Sequence, residues 1–197
     1  MSSFDTLLHM EHNNEKEKCE PVSIASRVLT DGRIVELVYA PEQRKTRFAV
    51  WDGTESVFVD ELEIAGEKLV PISASNNLIR HSAIVLPESP LPYGDGASLV
   101  GDIEQYLDRY VALSPWFRRV AARYVLFTWL YDAFEELPYL RVQADFGSGK
   151  TRALLVIGSL CYRAFFASGA STVSPIFHTL HSFRGALILD EADFRFS

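Results

Sequence analysis

The chain has 197 residues, a net charge of −7 and 48% hydrophobic residues, which is enough apolar content for one core or two small ones. The acidic balance excludes a general attraction to nucleic acids or anionic membranes, and two cysteines are too few for a disulfide framework or a zinc site. The sequence lacks a signal-peptide pattern and any apolar run near the ~20 residues that span a bilayer, so a cytoplasmic location without a membrane partner is expected.

The N-terminal third of the chain predicts a tail followed by a small β module. Charged and amide side chains crowd the end of residues 1–20, so this segment is predicted to be a mobile tail. An alternating apolar pattern then favours an antiparallel β module over residues 21–85, with hairpin turns at Gly32 and Gly53. Trp51 in this module is expected to pack on a sheet face rather than to contact a partner. The predicted strands are residues 33–39, 46–51, 57–59 and 68–72.

Prolines and glycines in residues 86–96 mark the start of a helical region that is predicted to cover residues 86–137. One helix is expected over residues 97–112. A second is expected over residues 114–134, where a serine cap precedes Pro115 at the first helical position. Three arginines in its first half indicate a solvated helix face more than a nucleic-acid contact. These are Arg118, Arg119 and Arg123.

Residues 138–197 have the element order of a strand, a glycine-rich loop and a helix, which is typical of a phosphate-binding domain. The fold predicted for the whole chain is therefore an α+β N-terminal part followed by an incomplete α/β P-loop NTPase core with a parallel sheet. The elements predicted in this segment are a strand at 139–144, helices at 150–165 and 175–183, and a strand at 186–189.

The glycine-rich loop carries the residue types that a phosphate site needs. Gly147 and Gly149 allow the backbone N–H groups to turn inward around phosphate oxygens. The Lys150 side chain supplies a positive charge for the β- and γ-phosphates, and the Thr151 hydroxyl is a ligand for Mg²⁺. The usual motif opens with glycine where this chain has Ala144, a small residue that fits with negative φ. The residues expected to bind the nucleotide are Ala144, Asp145, Phe146, Gly147, Ser148, Gly149, Lys150, Thr151 and Arg152.

An apolar strand that ends in two acids supplies the second half of the predicted site. Asp190 is expected to hold the same Mg²⁺ as Thr151, and Glu191 is placed to orient and deprotonate an attacking water. Lys150 and Glu191 are therefore the predicted catalytic residues. A second acid suits water as the nucleophile, hence hydrolysis of ATP. The alternative for Glu191 is an ordinary solvated or salt-bridged acid.

The two motifs carry a resemblance to known families. Asp190-Glu191-Ala192-Asp193 spells the signature of the DEAD-box RNA helicases, but those proteins separate the loop and the acidic strand by a much longer segment. The compact spacing is similar to that of AAA+ ATPases and of the replicative helicases of small viruses and plasmids. Residues 138–142, the loop, and residues 174–177 and 187–194 resemble ATPases of phages and mobile elements.

The resemblance implies an ATP-hydrolysing motor of replicative or mobile-element type, with a DNA helicase as one form of it. ATP and Mg²⁺ are the implied cofactors, a homo-oligomer is the implied assembly and DNA is a candidate partner. Two alternatives stay open, namely a regulatory NTPase switch without nucleic acid and a nucleotide-binding scaffold that does not hydrolyse. Since the sheet of such an ATPase continues beyond the strand of Asp190, the chain is expected to be the N-terminal part of a larger protein.

Overall fold

The computed structural model describes residues 20–143, 145, 147–168 and 173–190. Apart from Glu20, the predicted tail lies outside these residues. Within them the chain is a mixed α+β structure with antiparallel sheets and two parallel strand pairs, as the sequence predicts at that level.

The N-terminal strands form two sheets that enclose a common core. One sheet has the strand order β2-β3-β4-β5 and is antiparallel, and the other has the order β1-β7-β6 with β1 parallel to β7. The four strands predicted in this module are confirmed to within a residue at each end, whereas β1, β2 and β6 were not predicted. The strands are β1 (Val22–Ile24), β2 (Ser26–Val28), β3 (Ile34–Ala40), β4 (Lys45–Trp51), β5 (Ser56–Val59), β6 (Leu62–Ile64) and β7 (Glu67–Pro71).

Turn residues fix the register of this module. Gly32 and Gly53 have φ angles of 87° and 106°, so both predicted glycine turns occur in the left-handed region. The turn between β6 and β7 was not predicted. Ala65 and Gly66 there have φ angles of 50° and 82°, the pattern of a tight two-residue hairpin. The core between the sheets consists of Leu29, Val35, Phe48, Val50 and Leu69.

Helices and one parallel strand pair make up the rest of the described chain. The predicted helices at 97–112 and 175–183 and the predicted strand at 186–189 are confirmed with small shifts in their bounds. The elements are α1 (Asn77–Arg80), α2 (Gly96–Tyr110), α3 (Pro115–Trp129), α4 (Lys150–Gly158), β8 (Phe165–Ser168), α5 (Val173–Phe183) and β9 (Leu187–Asp190). β8 and β9 pair in parallel, and α2, α3 and α4 share one buried cluster.

The start of α3 follows the predicted signal, and its end does not. The Ser114 side chain accepts a hydrogen bond from the Phe117 N–H, with Pro115 at the first helical position. The helix ends at Trp129 instead of near residue 134. The Thr128 hydroxyl there donates to the Val125 carbonyl at 2.6 Å, a side-chain bond that competes with regular helix geometry, and a 3₁₀ turn follows.

Two predicted elements around the glycine loop differ from the structure. Residues 139–143 form no strand and pair with no strand among the described residues; residue 144 lies outside them. The helix predicted over 150–165 ends at Gly158, and its last part is a turn followed by strand β8. Arg163 in this turn has a φ of 43°, a left-handed conformation that no helix continues through.

The β module and the C-terminal part are joined by a shared core. Ala25, Leu37 and Ile84 lie in one buried cluster with Phe165 and Phe183. An isolated bridge pairs Ile84 with Phe165, and the Val85 N–H donates to the Ala164 carbonyl at 2.8 Å. The strand pair that carries Asp190 is therefore anchored on the β module.

Gly185, just before β9, is predicted to be intolerant of any side chain. A Cβ added there would lie 2.1 Å from the carbonyl oxygen of Arg163, so Gly185→Ala is expected to cost about 1–3 kcal/mol through forced backbone movement. Gly101→Ala is the matched control. An added Cβ meets nothing within 4 Å there, and the change should stabilise α2 by about 1 kcal/mol. Urea unfolding measures both, and equal stability of the two variants would contradict the steric argument.

Candidate functional site

Hydrogen bonds to the carbonyl oxygen of Asp145 hold the glycine loop together. That oxygen accepts hydrogen bonds from the Ser148 N–H at 3.2 Å, from the Ser148 hydroxyl and from the Lys150 ammonium at 3.4 Å. Gly147 and Gly149 have φ angles of 74° and 84°, which are strained for any residue with a side chain. The sequence-predicted glycines therefore occupy the two loop positions that need left-handed backbone.

Helix α4 starts directly from this loop. Gly149 is its N-cap, and in the described part of the chain no side chain caps the helix there. The first N–H groups of a helix have no partner within it and carry the positive end of its dipole. The loop therefore places backbone donors and the Lys150 side chain at one end of the same helix, which is an environment suited to an anion.

The parallel strand pair brings an acid to this helix end. The Thr151 hydroxyl donates to Oδ2 of Asp190 at 2.6 Å across 39 residues of chain. Asp190 is the last residue of β9, and the register of the pair sets it beside Ser168 at the end of β8. The contact thus joins the first turn of α4 to the carboxyl end of a parallel strand, the position where ligands bind in open α/β sheets.

A glycine allows α4 to lie close to the two strands. A Cβ at Gly158 would come within 2.9 Å of the side chains of Ile188 and Phe166, so only glycine fits without a shift of these neighbours. Ile188 in turn packs against the buried cluster that contains Ile157. This packing fixes the height of α4 over β9 and hence the meeting of Thr151 with Asp190.

The donor set at this point suits a magnesium ion. A hydroxyl and a carboxylate are hard oxygen ligands, and Mg²⁺ is commonly held by one or two such protein groups together with phosphate oxygens. Among the residues that the structure describes, there is no cluster of three His, Cys, Asp or Glu that could hold a metal by itself. The Thr151 hydroxyl and the Asp190 carboxylate would supply only part of the coordination shell of such an ion.

The remaining predicted residues have different positions. Ala144, Phe146 and Glu191 lie outside the described residues. The Arg152 guanidinium is directed away from the loop, because its Nε donates to the Tyr110 carbonyl at the end of α2 at 2.7 Å. Ser168 was not predicted, since the predicted helix ended at residue 165 and residues 166–168 were assigned to no element; the two phenylalanines of residues 165–168 are the signal for a strand.

Burial shifts the pKa values of three titratable groups near the strand pair, those of Cys161, Tyr162 and Glu36. Burial raises the pKa of the Cys161 thiol to about 11, so it stays protonated at neutral pH and is a poor nucleophile. Burial also raises the pKa of Tyr162. Burial raises the pKa of Glu36, while the charge and hydrogen bonds of Arg163 and the hydroxyl of Tyr162 oppose that rise.

Comparisons with known proteins add no family assignment. The chain matches no family model, and searches of curated proteins and of solved structures gave no match. Within the described ranges, no helix is long and apolar enough to cross a membrane. The functional argument therefore depends on the geometry of the loop, helix α4 and Asp190.

Proposed function

We propose that the chain binds a magnesium–nucleoside triphosphate, with ATP as the expected nucleotide, in a P-loop NTPase core. The observation that supports this best is the 2.6 Å hydrogen bond between the Thr151 hydroxyl and Asp190. A threonine directly after Lys150 and an acid at the end of a parallel strand are the two protein ligands that P-loop enzymes use for magnesium. The loop conformation at Gly147 and Gly149 supports the same proposal.

Each residue has a distinct task in this proposal. The loop amides and the N-terminus of α4 hold the phosphates, and the Lys150 ammonium neutralises part of their charge. Thr151 and Asp190 hold Mg²⁺, which when bound neutralises phosphate charge in the transition state. Arg152 contributes its backbone only, because its side chain bonds to α2.

Hydrolysis and movement are the second part of the proposal. The acid that follows Asp190 in the sequence supports water as the nucleophile, and hence an ATPase that drives movement of a partner as a homo-oligomer. DNA is the candidate partner by the sequence resemblance alone. Stimulation of ATP turnover by DNA would distinguish a helicase-type motor from a nucleotide switch that has no nucleic-acid partner.

Replacement of Lys150 by alanine is expected to weaken ATP binding by well over tenfold, since a charge-assisted contact contributes about 1.5–3 kcal/mol. Calorimetric titration with Mg²⁺–ATP measures the affinity. Lys45→Ala is the matched control, because Lys45 is an exposed lysine of the β module paired with Asp60 at 2.7 Å. That variant should bind ATP as the parent does.

The same titration with EDTA in place of Mg²⁺ tests the metal part of the proposal. Loss of the metal should weaken ATP binding by the parent chain, because Thr151 and Asp190 then have no cation to share with the phosphates.

Unchanged ATP affinity of Lys150→Ala, with a far-UV circular dichroism spectrum like that of the parent, would show that this loop is not a phosphate site.

A further inference from the structure

A second candidate site lies on the β module, in a cavity of about 310 Å³ between the outer face of the β2–β5 sheet and the proline-rich segment that follows Ile84. Trp51 of β4 and Trp129 at the end of α3 both line it, and each remains more than 40% exposed at 42% and 43%. Most of the other lining side chains are aliphatic or proline. The volume falls at the lower end of the range for small-ligand sites.

Trp51 lies on a sheet face and is only partly covered there. Its neighbour Val50 points into the core between the sheets at 4% exposure, so Trp51 lies on the opposite, outer face of β4. Two partly exposed tryptophans around one cavity leave apolar aromatic surface uncovered. The cavity therefore offers aromatic walls to a ligand.

Among the described residues that line this cavity, the one charged side chain is the carboxylate of Glu36. Glu36 is 23% exposed, and its Oε1 accepts hydrogen bonds from Arg163 at 2.6 and 3.0 Å. Its Oε2 accepts one from the Tyr162 hydroxyl at 3.0 Å. These partners hold the carboxylate rigidly at the cavity wall, with its charge balanced from behind by Arg163.

Exposed acidic residues that adjoin the lining residues along the chain give the cavity an acidic rim. The turn that joins the lining residues Trp51 and Ser56 carries exposed Asp52 and Glu55. Glu88 is exposed between two further lining residues. The nearest arginines in the sequence, Arg33 and Arg47, already form ion pairs with Asp31 and Asp60. A ligand that enters the cavity therefore meets an acidic rim and an aromatic wall.

We propose that this cavity binds an organic cation, an alkylammonium or guanidinium group, against Trp51 and Trp129. Tryptophan is the aromatic side chain that attracts cations most strongly, and quaternary ammonium groups are the ligands that aromatic cages commonly recognise. Single-stranded nucleic acid also stacks on aromatic side chains, but it needs a positively charged groove for its phosphates. The acidic rim therefore favours the cation.

Calorimetric titration with three probes tests the proposal. These are choline, methylguanidine, and 3,3-dimethyl-1-butanol as the uncharged isostere of choline. Saturable binding of choline or methylguanidine is expected. The neutral alcohol should bind roughly fivefold or more weakly, because only the cation is attracted by the ring faces. A higher salt concentration should weaken binding of the cation and leave binding of the alcohol unchanged, since the charges of the acidic rim are exposed to solvent and are screened by salt.

Variants of the lining residues test where the cation binds. Trp51→Leu should weaken binding of the cation by roughly fivefold or more. Trp116→Leu is the matched control, because Trp116 is also an exposed tryptophan, at 67%, and does not line the cavity. Trp129→Phe should also weaken binding of the cation, because it removes the indole while it keeps an aromatic ring beside Tyr162. Glu55→Gln combined with Glu88→Gln should weaken binding and reduce its salt dependence.

The outcomes separate this site from the nucleotide site. Lys150→Ala should bind the cation as the parent does, whatever it does to ATP, because Lys150 does not line the cavity. Equal binding of choline and its neutral isostere would replace the proposal with an apolar site. No saturable binding of either cation would overturn it, as would tight binding of a thymidine oligonucleotide that Trp51→Leu abolishes.

Discussion

Replacement of Arg163 by alanine is expected to destabilise the protein by about 3–5 kcal/mol, the usual cost of removing one partner from a buried ion pair. The Arg163 side chain is fully buried, and its partner Glu36 is 23% exposed. The guanidinium also donates to the carbonyl oxygens of Ala25 at 2.7 Å and Phe183 at 2.8 Å. Alanine leaves a carboxylate and two carbonyl oxygens in the interior without their donor.

Urea unfolding, followed by circular dichroism at neutral pH, measures the loss. Arg27→Ala is the matched control, because Arg27 pairs with Glu67 at 2.5 Å with both side chains more than a third exposed, and such pairs contribute about 0–1 kcal/mol. The double variant Arg163→Met with Glu36→Gln should recover part of the loss, since it removes the unpaired charge. A loss in Arg163→Ala no larger than that in Arg27→Ala would contradict the prediction.

The loss should also depend on pH in a fixed direction. Burial raises the pKa of Glu36, and Arg163 opposes that rise, so the folded-state pKa of Glu36 should be higher in Arg163→Ala than in the parent. A group with a raised folded-state pKa favours folding below its unfolded pKa, which is about 4.3 for glutamate, and loses that contribution as the pH rises through the folded value. The loss in free energy of unfolding of Arg163→Ala relative to the parent should therefore be smaller near pH 4 than near pH 7.

This ion pair is also the kind of feature that a single sequence does not predict. Arg163 and Glu36 lie 127 residues apart, each within an apolar run, and nothing in either run indicates that the two side chains pair. Burial of an arginine depends on which carbonyls and carboxylates the fold brings around it, and that is set only after the β module has packed on β8. Local pattern was sufficient for β3, β4 and the glycine turns, because alternation and φ preference act within a few residues.

The strand and helix errors have the same origin. Residues 139–143 have β-favouring side chains, but their backbone pairs with no strand in the part of the chain that the structure describes, and a strand forms only where its backbone finds a partner. Residues 150–165 form one apolar run that fits a helix, and the break at Gly158 and the left-handed Arg163 divide it. Periodicity alone does not separate a short buried strand from the end of a buried helix.

Two of the residues chosen from the sequence for the candidate site lie together in the structure. Gly147, Gly149, Lys150, Thr151 and Asp190 were chosen from residue type and spacing, and the structure brings Thr151 and Asp190 into contact. Their tasks impose strict local demands, namely left-handed backbone and a hydroxyl next to a lysine. Ser168 and the side-chain direction of Arg152 depend instead on strand register and helix packing, which the sequence does not show.

The second large effect is predicted for Glu191→Gln, which should leave ATP binding within about twofold and lower turnover by roughly 10²–10⁴-fold, the usual contribution of a general base. Asp190, the preceding residue, ends β9 and accepts a hydrogen bond from Thr151, so Glu191 follows directly on the proposed magnesium ligand. Glu191 itself lies outside the described residues. Glutamine keeps the shape and the hydrogen-bonding reach of glutamate and removes its basicity.

Two measurements on the same preparations test this prediction, namely equilibrium ATP binding and the rate of phosphate release. Asp190→Asn is the matched control, because it should weaken the magnesium-dependent part of ATP binding by roughly tenfold or more, whereas Glu191→Gln should not. Phosphate release by Glu191→Gln at the parental rate would make Glu191 an ordinary surface or salt-bridged acid. ATP binding without any phosphate release by the parent chain would favour the non-hydrolysing scaffold, because the proposed phosphate and magnesium contacts of the loop, Lys150, Thr151 and Asp190 do not require a base.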